Sequence, residues 1–271
     1  MEIGSGGTRS RAERARPEAR SAAPTQRLRP VVAPQFLATA SVPCPYVPGR
    51  AERKLIVELS GRGAAAFFDE LSRAGFRRSH QFAYRPACRL CSACVPVRIA
   101  VDRFVHTRST RRVRNLNAGP DGSAGAITAR IVPPRASDEQ FRLFCAYQRS
   151  RHRDSDMAAM TFGDYQAMVD DSPGATKMIE LRDAQGTLWG TGLYDPLDDG
   201  LSAVYSFYSP EAGKRSLGTV LVLALVDEAR RRRLPFVYLG YWIADSAKMS
   251  YKARFRPLEA LGPKGWQTIL E

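Results

Sequence analysis

The chain has 271 residues, 44% of them hydrophobic, which is material for one large or two modest domains with a real core. Its 41 Lys and Arg against 27 Asp and Glu leave a formal charge of +14, which favours a polyanionic partner, nucleic acid ahead of an anionic membrane surface. No apolar run approaches the ~20 residues of a membrane span. The five cysteines do not make a disulfide framework, and no apolar leader is visible, so a cytoplasmic protein without membrane partners is expected.

Residues 1–33 are rich in Arg, Ala, Ser, Pro and Gly and contain no aromatic residue, so they are expected to be a disordered basic extension. From Gln35 the character changes. Glu52 to Ser60 is rich in β-formers and reads as a strand. A helix follows, with Ala65, Phe68, Leu71 and Ser72 at helical spacing and Gly75 as its stop. Two further strands, QFAYRP and VPVRIAVDRF, flank a cysteine cluster. A short basic helix then starts at Ser109 or Thr110, either of which can cap it. The Gly, Pro, Asp and Ser run from Ala118 to Gly125 is the best domain boundary, which divides the chain into 34–120 and 126–271.

The second half reads as two helices, SDEQFRLFCAYQRSRH capped by Ser137 and TFGDYQAMVDD opened by Thr161, and then three strands, TKMIELR, TLWGTGLYD and LSAVYSFY. The helix SLGTVLVLALVDEARRRR is apolar nearly all round, which marks it as buried between layers. A short strand, FVYLGYW, and a last helix, SAKMSYKARF, complete the pattern. This is the element order of an acetyltransferase-like α/β fold. The expectation is therefore a mixed α/β (α+β) chain, with that fold behind a smaller, Cys-rich N-terminal α+β domain.

Cys88, Cys91 and Cys94 stand in two successive CxxC spacings, which let sulfurs converge on one ion at about 2.3 Å. Cys44, in CPYVPG, is the candidate fourth ligand, whereas Cys145 lies on a helix face with Phe141 and Phe144 and reads as core. Thiolate sets suit zinc and iron–sulfur clusters alike. Three reduced cysteines packed at a turn are the alternative.

The segments CPYVPGRAERKL, FAYRPACRLCSACVPVRI, VYSFYSP, KRSLGT and YLGYWIADSAKMSYKARFRP together resemble the bacterial leucyltransferases of the arginyl-tRNA–protein transferase family, from about Gln35 to Trp266. The resemblance implies transfer of an amino acid from aminoacyl-tRNA (leucine from leucyl-tRNA, or arginine) to the α-amine of a protein beginning with Asp or Glu. That addition marks the protein for degradation. It also implies an iron–sulfur cluster at the cysteine-rich half in eukaryotic relatives, whose spacing differs from the one here.

Aminolysis of an activated ester needs a neutral amine, positioning and stabilisation of the developing oxyanion, and no cofactor. The candidate catalytic residues are Tyr205, Ser206, Tyr241 and Lys252. An acidic acceptor calls for guanidinium forks, and Arg85, Arg98, Arg254 and Arg256 are the candidates. Ser216 and Gly218, at the opening of the long buried helix, and the aromatic Trp242 are candidates for the charged 3′ end of the tRNA. Arg108, Arg111, Arg112 and Arg114 are the choice for its backbone. Two other classes fit in part: an acyltransferase using acetyl-CoA, and a metal-stabilised RNA-binding module without transfer activity.

Overall fold

The computed structural model describes residues 33–119, 125–153, 155–172 and 175–270. The expected extension, up to residue 32, lies outside the described residues. Strands β1 (Phe36–Ala38), β2 (Val42–Pro43), β3 (Ala51–Glu52) and β4 (Lys54–Glu58) precede helix α1 (Ala64–Arg73), and β5 (Arg77–Ser79) and β6 (Phe82–Pro86) follow it. Next come β7 (Val95–Ala100), α2 (Arg108–Ala118), β8 (Thr128–Val132), α3 (Asp138–Arg151) and α4 (Phe162–Asp170). After these stand β9 (Lys177–Arg182), β10 (Leu188–Leu197), β11 (Gly200–Tyr208), α5 (Leu217–Arg231), β12 (Phe236–Trp242), β13 (Leu258–Gly262) and β14 (Gly265–Leu270).

Local chemistry sets the helix starts. Ser137 and Gln140 form a reciprocal capping box on α3, as do Thr161 and Asp164 on α4. Helix α2 begins earlier than Ser109 or Thr110: Thr107, in extended backbone, accepts a hydrogen bond from the Thr110 N–H at 3.2 Å. Only a residue still outside the helix can turn its side chain back on the first turn.

The first sheet has the order β1-β4-β6-β5 and the second the order β14-β13-β7-β12-β11-β10-β9-β8. Side chains alternate across the second sheet. On β9, Met178 enters a core with Phe144, Tyr165, Val169 and Phe207, under α3 and α4. Its neighbours Ile179 and Leu181 enter another, with Leu221, Leu225 and Val226 of α5. A third core joins α1 and the first sheet (Val57, Phe68, Leu71, Phe76) to Leu197 and Tyr238 of the second. Each such buried Leu, Ile or Phe contributes about 1.5–3 kcal/mol before entropy is counted.

From β8 to β12 the element order is the acetyltransferase-like one, in a mixed α/β chain. Three features depart from expectation. The stretch SAKMSYKARF is not a full helix but a 3-10 turn at Ser250–Arg254. The hairpin β13–β14 was unanticipated, as was edge strand β8. Finally, β7 lies between β13 and β12, so residues on both sides of the expected boundary near 120 share one sheet, within a compact unit running from Pro34 to Glu271. Among the described residues no helix is long and apolar enough to cross a membrane.

Candidate active site where two parallel strands part

β11 and β12 are the parallel pair of the sheet, and they pair only at Gly200, Leu201 and Ser202 against Phe236, Val237 and Tyr238. Beyond these residues the strands part, which frees main-chain groups that a ladder would satisfy. Arg77 of β5 fills that opening. Its guanidinium donates to the Ala203 carbonyl, and lies 3.5 Å from both the Val204 carbonyl and Ser202 Oγ. On the β12 side stands Gly240, with φ +77° and Arg77 against its Cα. β12 also shifts register on β7 between Tyr238 and Gly240. A glycine here answers both the bulge and the close approach.

Lys252, carried by the 3-10 turn, is buried with 6% exposure, and its Nζ donates to the Tyr241 carbonyl. Met249 Sδ lies 3.6 Å from the same nitrogen. Burial, followed by the charge of Arg77, lowers its ammonium from the ordinary lysine value to about 7. A lysine whose amine can lose its proton near neutral pH is thus held on the Tyr241 carbonyl, within the influence of the Arg77 charge.

An aromatic wall borders the β11 side. The Tyr205 hydroxyl accepts a 2.7 Å hydrogen bond from Gln148 Nε2, and burial pushes its phenol up to about 12. Tyr208 meets the Tyr147 ring at 5.0 Å, edge to face. Gln148 Oε1 is buried without a partner among the described residues. Ser206 is exposed on the same strand.

Residues 42–112 match the family model described as Arginine-tRNA-protein transferase, N terminus, and residues 139–262 match its C terminus. An aspartate/glutamate leucyltransferase of Paramagnetospirillum magneticum is 57% identical over 232 residues, covering 86% of this chain and 92% of that one. Another from Granulibacter bethesdensis is 48% identical over 244 residues, covering 90% and 89%. The chain belongs to the arginine-tRNA-protein transferase family. Among solved structures, L-PGS from Bacillus licheniformis aligns over 72% of this chain and 56% of that one, at 13% identity and a TM-score of 0.46.

Within this family member, the structure separates the candidate residues. Lys252 and the main chain of Tyr241 meet in the opening. The Tyr241 phenol does not serve it: the hydroxyl lies 2.9 Å from the Gly75 carbonyl and 3.0 Å from that of Tyr84, and braces the first sheet against the second. Burial holds that phenol far above its ordinary value, so it keeps its proton. Trp242 packs on the α5 core, with Nε1 buried and unpartnered among the described residues.

Arg98 is a correction. Strand register sets it opposite Tyr238 on one side and Glu259 on the other. Its Nε bonds Glu259 Oε2 at 2.9 Å and its Nη1 bonds the Tyr238 hydroxyl at 3.2 Å. The Phe236 ring centroid lies 3.4 Å from Cζ and that of Trp266 lies 4.4 Å away. Buried, paired with Glu259 and packed on two rings, it does not present its fork to an acceptor. Arg85 is exposed, lies over Phe76 and donates to the Ala74 carbonyl at 3.3 Å. Arg254 and Arg256 are exposed on either side of Phe255.

Ser216 opens α5 in the left-handed conformation, φ 55°, and its side chain makes no cap. Gly218 lets the first turn approach Tyr208: a Cβ there would stand 3.0 Å from the ring. Arg108, Arg111, Arg112 and Arg114 are all exposed on α2, a row of guanidinium groups on one short helix.

Cys44 and the three cysteines of one short segment, Cys88, Cys91 and Cys94, are all half-buried. The Cys94 thiol is pushed up to about 11, first by burial and then by the other three sulfurs. Cys88 Sγ accepts from the Arg53 N–H at 3.4 Å, and Cys44 Sγ from that of Val47 at 3.4 Å. The donor chemistry suits a thiophilic metal, but among the described residues no three His, Cys, Asp or Glu side chains form a set able to hold one. Sequence reasoning missed Arg77 altogether. The glycine within a strand-like YLGYW was the one available signal of a close approach.

Proposed function

We propose that this chain moves leucine from leucyl-tRNA to the N-terminal Asp or Glu of a protein, in the cytoplasm, and so marks that protein for degradation. The observation that carries the reading is Lys252 beside Arg77, where β11 and β12 part, in a chain of this family. The acceptor's α-amine attacks the leucyl ester carbonyl. The new C–N bond forms as the C–O bond to the ribose breaks, the amine loses a proton and the ribose oxygen gains one. Neutral Lys252 takes the amine's proton, directly or through water. Burial, helped by the charge of Arg77, makes the Lys252 ammonium give up its proton more readily, and that same charge favours the negative charge that gathers on the attacked oxygen.

Arg254 and Arg256, on the segment that carries Lys252, meet the acceptor's carboxylate. The uncapped start of α5 at Ser216 and Gly218 faces the donor's terminal phosphate, and the α2 arginines hold the tRNA backbone. We also retain the four cysteines as a thiolate site for zinc or an iron–sulfur cluster, supported by the two successive CxxC spacings and by the influence of the other three sulfurs on Cys94. No step of the transfer runs through them.

The test is incubation of purified protein with a peptide beginning in Asp, an Ala-ended control, and leucyl- or arginyl-tRNA, read by mass spectrometry. Leucine added to the Asp peptide alone is the expected outcome. Arginine instead would move the donor assignment, and no addition from folded protein would leave an RNA-binding module.

A further inference from the structure

A cavity of about 300 Å³ lies away from the opening, between α2 and α5 and over edge strand β8 and its neighbour β9. With adjacent strands ~4.8 Å apart, it stands about 14 Å along the sheet from the gap between β11 and β12. Its floor is apolar, with Ile127, Ile131, Ile179, Val220, Leu223 and Ala224, and its volume is at the small end of ligand sites. Two of its polar wall residues carry buried atoms that lack a partner among the described residues: His106 Nδ1 and Asn117 Oδ1. Buried polar atoms are ordinarily satisfied, so two on one cavity wall require an account.

Their donor and acceptor roles follow from their neighbours. Asn117 Nδ2 donates to the Val113 carbonyl at 2.8 Å and to the Arg215 carbonyl at 2.9 Å, which fixes the amide and leaves Oδ1 as a free acceptor. Asn117 is 3% exposed, so bulk water does not satisfy it. Arg114 Nη1 stands 3.3 Å from His106 Nε2, and a guanidinium can only donate. His106 therefore carries its proton on Nδ1, a free donor. One wall thus offers a donor and an acceptor above an apolar floor, while α2, which supplies Asn117, presents four exposed arginines.

We propose that this cavity receives one unstacked purine base of an RNA strand, with His106 Nδ1 donating to a ring nitrogen and Asn117 Oδ1 accepting from an exocyclic amine. The flat base lies on the isoleucines and valine, and the strand's phosphates follow the α2 arginines outside. Single-stranded bases are read in this way, by an apolar surface for the ring and hydrogen bonds to its edge. The inference rests on the tRNA reading above and adds a second contact, remote from the reacting ester.

The experiment titrates the full chain with adenosine monophosphate and, separately, with free leucine, by calorimetry. It compares the natural sequence with Ala224→Phe, which fills the cavity, and His106→Phe, which keeps a ring against Phe104 and removes the donor. Circular dichroism and Tm check folding. Adenosine monophosphate should bind the natural chain and bind both variants about tenfold more weakly. The KM for leucyl-tRNA should rise about tenfold in both, with kcat unchanged. Equal nucleotide binding by all three folded proteins would overturn the pocket, as would leucine binding there in place of the nucleotide. The titration needs no turnover. Nucleotide binding without leucine transfer would sink the proposed function and keep the pocket, whereas transfer with unchanged KM in both variants would do the reverse.

Discussion

Arg77 and Gly240 are fitted to one another: a Cβ at residue 240 would stand 2.6 Å from Arg77 Nε. A side chain there also meets φ +77°, a conformation that costs an L-residue energy. Gly240→Ala should therefore destabilise the protein by at least about 2 kcal/mol. It should also reduce transfer in protein that remains folded, because Arg77 must move. A Tm within a degree of the natural chain, with full activity, would show that the opening is not tightly filled.

Lys252 gives the reaction a pH signature. A base must be neutral, so kcat/KM should climb through about pH 7 and level off above it. Removing the neighbouring positive charge in Arg77→Ala makes the ammonium easier to keep, so the limb should move to higher pH. The stability sign is the opposite of that for an ion-paired lysine. The folded value lies below the unfolded one, so the unfolded chain binds more protons between about 7 and the ordinary lysine value, and stability rises with pH across that window. Lys252→Met should abolish transfer and raise Tm at pH 7, with the gain shrinking as pH rises. A flat profile together with an active Lys252→Met variant would remove Lys252 from the mechanism.

Local signals made much of this fold legible. Ser137 announced α3, Thr161 announced α4, and the apolar α5 could only be a buried helix. The elements missed owe their form to distant partners. Strand β8 is exposed over most of its length and exists because β9 offers it an edge. The stretch around Lys252 has helical spacing, yet it closes as a short turn, through the Lys252 N–H on the Met249 carbonyl and the Phe255 N–H on that of Lys252, and the buried Lys252 ammonium ties it to the Tyr241 carbonyl of β12. Site residues divide in the same way. Lys252 stands in a readable motif, whereas Arg77 follows a plain helix stop and gains its role from an opening 125 residues further along, at Ser202. Arg98 looked like a substrate fork because composition does not reveal a cross-strand Glu259.

That Arg98–Glu259 pair gives a prediction that separates packing from binding. Glu259→Gln leaves a buried guanidinium, stacked on Phe236 and Trp266, without its counter-charge. Breaking one side of a buried pair costs about 3–5 kcal/mol, which thermal or urea unfolding would detect. The KM for an Asp-ended peptide should not change in whatever protein folds. A raised peptide KM with an unchanged Tm would return Arg98 to the substrate site.

The cysteines are checked by composition. Protein purified without chelator should carry about one equivalent of zinc or one iron–sulfur cluster, by mass spectrometry and absorbance. Cys91→Ser should lower both that content and Tm. Metal-free protein with full activity and an unchanged melting curve would assign the thiols around Cys94 to packing alone.

The arginines of α2 predict a salt dependence. Each phosphate contact releases counterions, so the logarithm of the tRNA association constant should fall linearly with the logarithm of salt concentration. Arg111 donates to the His106 carbonyl at 2.9 Å, so its removal would also disturb the helix start. Arg108 and Arg112 are exposed and make the cleaner pair. Arg108→Ala with Arg112→Ala should reduce the slope by about 1.4–1.8, at ~0.7–0.9 per contact, with little change in Tm. Transfer at saturating leucyl-tRNA should persist, because these side chains act on the tRNA backbone and not on the ester. An unchanged slope would move the tRNA track off α2, to another basic stretch such as the one that ends α5 at Arg230 and Arg231.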